Sequence, residues 1–267
     1  MQSDDVVESP GASHRAIEAF VPVPLRGRTF SSRRSARLGD VTPKGRLRLD
    51  AVACYLQDIA NDDAIDSGLE NAMAWVVRRC EIRVHQFPSF RDTVELVTFC
   101  GGYGSRWAQR RTNLASPSGL AMEAATLWVS IDPVSGRPAR LPDAFVELYG
   151  EAAAGRKVGA RMQLGDPSDA VLSSASSFSL RFADFDLLGH VNNSFAWVIV
   201  EEWLSNRGDL RAPLRVEVEH RAALERHCSL GVAVQERGDG LDLWLVDQAA
   251  GSVLVAVRVG KVSASTS

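Results

Sequence analysis

An acid, a histidine and two asparagines stand close together within residues 184–193, and their types and spacing suit hydrolytic chemistry. The polar and turn-forming positions of this run are, in order, Asp184, Asp186, Gly189, His190, Asn192 and Asn193. The Asp186 carboxylate could act as a base or as a nucleophile toward a carbonyl carbon. The first free N–H groups of a helix that follows could hold a developing oxyanion. The pattern therefore indicates a hydrolytic site where a strand turns into a helix.

Asp186, His190 and Asn192 are the predicted catalytic residues of this run. His190 could donate to a carbonyl, orient a water or protonate a leaving group, and Asn192 could cap the helix and position the turn. Val191 and Asn193 are predicted substrate contacts through their backbone N–H groups. A structural interpretation stays open for each, with Asp186 as an Asx-turn residue, His190 as a plain hydrogen-bonding group and the asparagines as turn residues.

Composition excludes several classes of protein. The 267 residues are 45% hydrophobic and 24% charged, which is ordinary for a soluble globular protein. A formal net charge of −3 gives no global positive field, so we expect no nucleic-acid partner. No apolar run reaches 18 residues, which predicts no membrane span. GxSxG, GxGxxG, a phosphate loop and metal-ligand spacing of histidines are all missing from the sequence, so we expect neither a cofactor nor a metal.

The cysteines and the N-terminus indicate a cytoplasmic location. None of the four cysteines forms a CxxC pair, so free thiols in a reducing compartment are expected. Residues 1–24 lack a basic segment followed by an apolar core, and they are predicted to be a flexible tail rather than a secretory signal. Cys228 beside His227 could form a nucleophilic pair, but nothing in the sequence places the two in a pocket.

The same order of predicted elements occurs twice along the chain. In residues 25–131 a first strand and a turn at 40–45 precede a helix near 50–67, with Asp50 as the expected N-cap and Gly68 as the stop. Strand-like stretches follow at 73–87, 91–102, 105–116 and 120–131. In residues 176–267 a strand at 176–182 and a turn precede a helix near 194–206, and strand-like stretches follow at 213–222, 229–236, 241–247 and 252–260.

This repeat predicts an α+β fold. A long helix followed by four antiparallel strands implies a helix wrapped by a curved antiparallel sheet, which is the hotdog arrangement, here in tandem. Residues 132–175 are predicted to form a linker with one short helix, in the segment LPDAFVELYG. The alternative is two unrelated α+β domains. Only the second repeat has an acid and a histidine in its turn, so we expect one active site per chain.

With these elements in place, the sequence resembles a known family. The run from Asp184 to Asn193 resembles the DxDxxGHVNN signature of hotdog acyl thioesterases, and the tandem layout is similar to the fatty acyl-ACP thioesterases of plants and bacteria. Residues 127–132, 136–138 and 141–142 look like the stretch that closes the first hotdog in that family. The resemblance covers residues 28–260. It implies that Asp186 is the catalytic aspartate, that His190 is the family histidine and that the first hotdog sets the acyl chain length.

Two positions depart from the plant pattern. Plant members carry an asparagine where this chain has Leu188, and a glutamate on the following strand where this chain has Ala223. Glu219 and Glu225 lie near that position, and either would need a bulge or a register shift to replace the missing carboxylate.

Predicted substrate and carrier contacts lie in the first repeat. An acyl tunnel could be lined by Leu56, Ile59 and Ala60 on the helix and by Met73, Trp75 and Val77 on the next strand. Such residues also serve as core. The segment 26–48 is rich in arginine, and three of these residues are predicted to dock an acidic carrier protein: Arg33, Arg34 and Arg37. A solvated strand face, with the charges split between two sides, is the alternative.

The sequence therefore predicts a thioester hydrolase that releases fatty acid from acyl-ACP in fatty acid biosynthesis, with acyl-CoA as the second substrate. A non-catalytic acyl-binding module and a hotdog hydratase or dehydratase remain alternatives. Leu188 and Ala223 favour the binding module, because both stand where the family has polar residues. A tandem chain can bury its sheets internally, so a monomer and a homodimer are both open.

Overall fold

The computed structural model describes residues 20–132, 134–187 and 189–262. Leu188 and residues 1–19 of the predicted tail lie outside these ranges, and residues 20–24 have no helix or strand. The described chain has one antiparallel sheet of ten strands and two long helices that share a core. This arrangement confirms the predicted α+β double hotdog.

The first repeat contains five strands and one long helix. The helix α1 spans Leu49–Asp66, and it ends beside Gly68, which adopts the left-handed conformation at φ +71°. The strands are β1 (Thr29–Ser35), β2 (Ala74–Val84), β3 (Thr93–Tyr103), β4 (Trp107–Ser116) and β5 (Gly119–Ile131). Each predicted element of this repeat is present with bounds shifted by a few residues.

The segment between the repeats contains the predicted helix α2 (Asp143–Ala153) and a further short helix α3 (Asp169–Ser173). The helix α2 packs on the first repeat rather than standing apart as a linker. Its Phe145 and Tyr149 form a small apolar cluster with Cys100 of β3 and Ala108 of β4. Helix α2 therefore belongs with the first repeat, whereas Leu164 and Leu172 further along the segment pack on the second repeat.

The second repeat has the same order of elements. Its members are β6 (Ser176–Ser177), α4 (Phe195–Ser205), β7 (Leu214–His220), β8 (Leu230–Arg237), β9 (Gly240–Asp247) and β10 (Ser252–Lys261). The predicted strand 176–182 is wrong beyond its first two residues. A 3-10 turn at Phe182–Asp184, held by an ion pair between Arg181 and Asp184, redirects the chain away from the sheet edge.

The two repeats form one continuous sheet because β2 pairs with β7. Their register places Cys80 opposite Val218 and Ile82 opposite Val216. The strand order across the sheet is β1-β3-β4-β5-β2-β7-β10-β9-β8-β6. The inward side chains of both halves and the apolar faces of α1 and α4 belong to one core, so the halves cannot move as separate bodies without exposing apolar surface.

A carboxylate from the second repeat caps the helix of the first. The backbone N–H of Leu49 donates to Glu201 Oε1 of α4 at 2.7 Å, and Arg46 binds both oxygens of Glu201 at 2.9 and 2.7 Å. A negative charge at a helix N-terminus is stabilising. The prediction of Asp50 as the N-cap is wrong, because α1 starts one residue earlier and its capping group comes from the other repeat.

Candidate active site

Asp186 and His190 face each other across a tight turn, which we call the second turn (residues 184–192). The N–H of Asp186 donates to the His190 carbonyl at 2.8 Å, and the N–H of His190 donates to Asp186 Oδ1 at 3.1 Å. Gly189 has φ +81° and closes the turn with an N–H bond to the Asp186 carbonyl at 3.0 Å. The Asp186 carboxylate is thus oriented by the backbone. It is half-buried, and His190 is exposed.

Asp184 supports this turn from behind. It is only 6% exposed, and its carboxylate accepts the Arg181 N–H at 2.7 Å and pairs with the Arg181 guanidinium at 2.7 Å. Its carbonyl accepts the N–H of Asn192 at 2.8 Å. Asp184 is therefore a buried turn residue.

The orientation of the Asn192 side chain is fixed by two donors. Its Oδ1 accepts the N–H of Ser194 at 2.8 Å and the Nε2 of Gln57, on α1 of the other repeat, at 3.1 Å. Rotating the Asn192 amide by half a turn would place its own N–H groups against those of Ser194 and Gln57. The oxygen is therefore occupied, and the Nδ2 group of Asn192 faces away from these two donors.

The backbone N–H groups near Asn192 are partly used. The N–H of Val191 donates to the Leu224 carbonyl at 3.2 Å, and that of Asn192 is bonded to Asp184. Within the described residues the N–H of Asn193 has no backbone acceptor. Of the backbone donors predicted at 191–193, the structure therefore leaves Asn193 for a ligand.

The first repeat contains the same backbone turn, which we call the first turn (residues 40–48). The N–H of Thr42 donates to the Arg46 carbonyl at 2.8 Å, and Gly45 at φ +83° donates to the Thr42 carbonyl at 2.8 Å. Arg46 here occupies the place that His190 has in the second turn, and its side chain is paired with Glu201. The first turn thus has no acid–histidine pair.

One cavity of about 480 Å³ brings the predicted catalytic residues together. Six predicted site residues line it: Trp75, Asp186, His190, Val191, Asn192 and Asn193. They come from β2, from the second turn and from Asn193 directly after it, and β2 is far from the turn in sequence. We call this space the reaction cavity.

A second cavity of about 400 Å³ lies in the first repeat, between α1, α2 and the sheet. It shares Gln57, Trp75 and Trp128 with the reaction cavity, so the two spaces meet at these side chains. The helix α1 contributes one face to it, with Gln57, Ala60, Asn61 and Ala64 at helical spacing. We call this space the first-repeat cavity.

Two of the predicted acyl contacts do not line these cavities. Leu56 and Ile59 are 5% and 0% exposed and lie in the common core. They fall on the stripe of α1 that faces the sheet, whereas the neighbouring stripe of small and polar residues faces the cavity. Of the helix residues predicted from sequence, Ala60 does line the cavity, and Asn61 and Ala64 line it without having been predicted.

A buried ion network forms one wall of the first-repeat cavity. Asp63 of α1 is 1% exposed and accepts bonds from Arg28 Nε at 2.8 Å, Arg110 Nη1 at 2.6 Å and the Tyr149 hydroxyl at 2.9 Å. Burial, together with the nearby Asp63 charge, raises the pKa of Tyr149 against the lowering effect of Ser67, so its hydroxyl stays a donor. The network fixes α2 against α1.

Neither nearby glutamate replaces the carboxylate that is missing at Ala223. Glu219 is fully buried, and its oxygens accept the N–H groups of Gln163 at 2.6 Å and Leu164 at 3.1 Å. Glu225 is exposed and does not line the reaction cavity, whereas Ala223 does. The cavity wall at this position is therefore a methyl group. The departure at Leu188 lies outside the described residues.

The predicted carrier-docking arginines do not share one face. Arg33 is exposed and pairs with Glu95 of β3 at 3.5 Å, whereas Arg34 turns toward α1 and pairs with Asp58 at 3.3 Å and Asp62 at 3.5 Å. Successive strand residues point to opposite sides of a sheet, which separates the two. Arg37, beyond the strand, is exposed.

All four cysteines are free thiols, as predicted. In the part of the chain that the structure describes, no three metal-binding side chains converge. The described helices include none with the length and apolar character needed to cross a membrane.

Two family models match the chain over most of its length. The acyl-ACP thioesterase N-terminal domain matches residues 27–149, and the acyl-ACP thioesterase C-terminal domain matches residues 168–259. The uncharacterized protein Rv2001 of Mycobacterium tuberculosis is 26% identical over 222 residues, which are 83% of this chain and 88% of that protein.

Solved structures show the same fold at low sequence identity. The 12:0-ACP thioesterase from Umbellularia californica is 21% identical with a TM-score of 0.72, over 89% of this chain and 98% of that one. An acyl-ACP thioesterase from Bacteroides thetaiotaomicron is 18% identical with a TM-score of 0.70, over 87% and 97% of the two chains. Both likenesses support the tandem hotdog fold.

Proposed function

Because the chain belongs to the acyl-ACP thioesterase family, a family of thioester hydrolases, we propose that it releases fatty acid from acyl-ACP at the second turn. One observation carries this proposal: Asp186, His190 and Asn192 line a single cavity that meets a second cavity in the first repeat. Acyl-CoA has the same reacting atoms and is the alternative substrate.

Asp186 is the group that activates the nucleophile in this proposal. Its carboxylate takes a proton from a water as the water oxygen bonds to the thioester carbon, or it attacks that carbon itself to give an anhydride that water then cleaves. The N–H of His190 holds Oδ1 at 3.1 Å, so the carboxylate has one orientation relative to the cavity. Either route gives free acid and free thiol.

Asn192 and Asn193 are the proposed donors to the oxyanion. The Asn192 oxygen is held by Ser194 and Gln57, which leaves its Nδ2 group as a donor. The N–H of Asn193 lies next to it at the entrance to α4. Donors fixed before the reaction stabilise the negative charge that develops on the carbonyl oxygen.

His190 is proposed to serve the leaving group. It is exposed at the mouth of the reaction cavity, where the carrier arm must enter and leave. When the tetrahedral intermediate collapses, the carbon–sulfur bond breaks and the thiolate takes up a proton, which His190 can deliver. A thiolate leaves easily, so this contribution is smaller than that of Asp186.

The acyl chain is proposed to lie in the first-repeat cavity. A chain that starts at the reacting carbonyl reaches this space between Gln57, Trp75 and Trp128, which line both cavities. Beyond them Met73, Cys100 and Phe145 offer apolar walls. The role predicted for Trp75 is kept in this proposal, and those of Leu56 and Ile59 pass to Ala60 and Ala64.

Arg33 and Arg37 are the proposed carrier-docking residues, since Arg34 is held by α1. Arg33→Glu combined with Arg37→Glu should slow hydrolysis of acyl-ACP at low salt and leave acyl-CoA hydrolysis unchanged, because acyl-CoA lacks the acidic protein surface that these arginines would contact. Equal losses on both substrates would remove these residues from docking.

The proposed function is tested by free-thiol release from acyl-ACP and acyl-CoA substrates of increasing chain length. Asp186→Asn keeps the acceptor for the His190 N–H and should lower kcat by roughly 1,000-fold. Activity that survives this change would exclude the second turn as the site. A wild-type protein that binds acyl-ACP without releasing thiol at any chain length would establish the non-catalytic binding module instead.

A further inference from the structure

A histidine that the proposed mechanism does not use lines the reaction cavity. His220 is the last residue of β7, and it continues the inward row of Leu214, Val216 and Val218. It is 9% exposed, and its neighbours in the cavity wall include Leu245 and Val255. A polar ring thus ends a row of aliphatic side chains at the place where the cavity enters the second repeat.

The Nε2 atom of the His220 ring is buried and has no hydrogen-bond partner in the part of the chain that the structure describes. The indole N–H of Trp128, at the junction of the two cavities, is also buried without a partner among the described residues. Buried polar atoms are almost always paired, because leaving one unpaired costs free energy. Three residues that line one cavity have such atoms, since Arg221 Nε is the third, which indicates that a bound molecule supplies partners to those that face the cavity.

The surroundings of His220 favour the neutral ring. Arg78 donates to the carbonyls of His220 at 2.9 Å and Arg221 at 3.0 Å, which places a guanidinium beside the histidine. Burial first, and the Arg78 charge second, lower the pKa of His220 to about 4. A neutral imidazole has one nitrogen that accepts a hydrogen bond and one that donates.

The position of His220 also matches a gap in the site. The family glutamate is replaced by Ala223, and Glu219 is turned to the opposite side of β7. His220 precedes Ala223 by three residues and lines the same cavity. The next residue, Arg221, also has an unpaired buried Nε, but its guanidinium is engaged by Asp166 and by the Leu164 carbonyl. The His220 ring is therefore the better placed of the two to meet a bound molecule.

We propose that His220 is a further catalytic residue, whose Nε2 accepts a hydrogen bond from the attacking water and holds that water against Asp186. The inference rests on the proposed function. One proton of the water passes to Asp186 as the oxygen–carbon bond forms, while the other stays on the water oxygen and points at His220. His220 gains no proton in the cycle, and the carbon–sulfur bond then breaks as described above.

The test compares His220→Leu, His220→Gln and the control His85→Leu in thiol release and in urea unfolding. His85 directly follows β2, is exposed and pairs with Glu123 of β5, and it lines neither cavity. His220→Leu should lower kcat about 10- to 100-fold with KM within about twofold, and it should not lower the unfolding midpoint, since it removes an unpaired nitrogen from an apolar niche. His220→Gln should recover part of kcat, and His85→Leu should match wild type.

Two outcomes would overturn the inference while the proposed function stands. A His220→Leu variant with wild-type kcat would show that the water needs no partner there. A variant that loses stability and activity together, with no recovery in His220→Gln, would make His220 a structural residue. Failure of the wild type itself to release thiol would instead overturn the proposed function, and this inference with it.

Discussion

The first and second turns have the same backbone hydrogen bonds and different side chains. In both, the N–H of the third residue, Thr42 or Asp186, donates to the carbonyl four residues later at 2.8 Å. A glycine with φ near +80° then closes each turn. Where the second turn has Asp186 and His190, the first has Thr42 and Arg46. A repeated fold thus supplies two equivalent frames, and side-chain chemistry selects the one that can react.

The two turns are also tied to each other's helices in a reciprocal way. Gln57 of α1 reaches Asn192 of the second turn, and Glu201 of α4 reaches Arg46 of the first. The contact on the second turn is a neutral hydrogen bond beside a cavity. The contact on the first is a bidentate ion pair with Glu201 nearly buried. The first turn is therefore built for stability and the second for binding.

The largest effect expected in the second turn, after that of Asp186, follows the loss of His190. His190→Ala should lower kcat about 100-fold, because protonation of the thiolate then depends on water. The side chain is exposed, so urea unfolding should change by less than about 0.5 kcal/mol. A large loss of stability with unchanged kcat would contradict this view, because it would make the second turn a stabilising element rather than a reacting one.

Loss of Arg46 should give the opposite result in the first turn. Arg46→Ala leaves the Glu201 carboxylate, 8% exposed, without its bidentate partner and should cost about 3 kcal/mol of unfolding free energy. The kcat of the folded protein should stay within about twofold of wild type. Arg33→Ala breaks an exposed pair and serves as the control, with a change below about 0.5 kcal/mol. An Arg46→Ala variant as stable as wild type would contradict this view of the first turn.

The pH dependence of stability should report His220. The pKa of His220 in the folded protein is about 4, below its ordinary value, so the unfolded chain binds more protons than the folded chain in the acid range. The free energy of unfolding therefore decreases as the pH is lowered. On lowering the pH from 7 to 5, His220 should reduce the free energy of unfolding by about 2 kcal/mol. The groups that share its cavity are Arg78, Arg221, Asp186 and His190. His220→Leu should flatten the urea-unfolding profile over this range, and an unchanged slope would show that His220 is protonated in the fold.

The smallest effect is expected at the contact between the repeats. Gln57→Leu removes one of the two donors that orient Asn192 and should lower kcat about tenfold with little change in stability. Gln57→Glu sets a carboxylate against Asn192 Oδ1, which the Ser194 N–H still holds, and repulsion between the two oxygens should displace the amide and its donor from the cavity. It should therefore be at least as impaired as Gln57→Leu. Full activity in Gln57→Glu would mean that the side chain only fills space.

The tandem fold and the reacting pair were accessible from sequence because they depend on local patterns. Periodic apolar residues and glycine turns located nearly every strand and helix, and Asp186 and His190 are four residues apart. The roles of Gln57, Glu201 and His220 were not accessible, since each depends on packing between distant segments. The stripe of α1 that lines the cavity likewise depends on where α2 docks, so Leu56 and Ile59 were misplaced.

The central claim is that the side chains of the second turn, and not its backbone frame, make the site. Asp186→Thr combined with His190→Arg gives the second turn the first turn's residues at the two reacting positions, and its backbone should persist because the first turn accommodates them. We predict unfolding within about 1 kcal/mol of wild type and thiol release from acyl-ACP at the background rate. Hydrolysis within about tenfold of wild type by this folded variant would contradict the account.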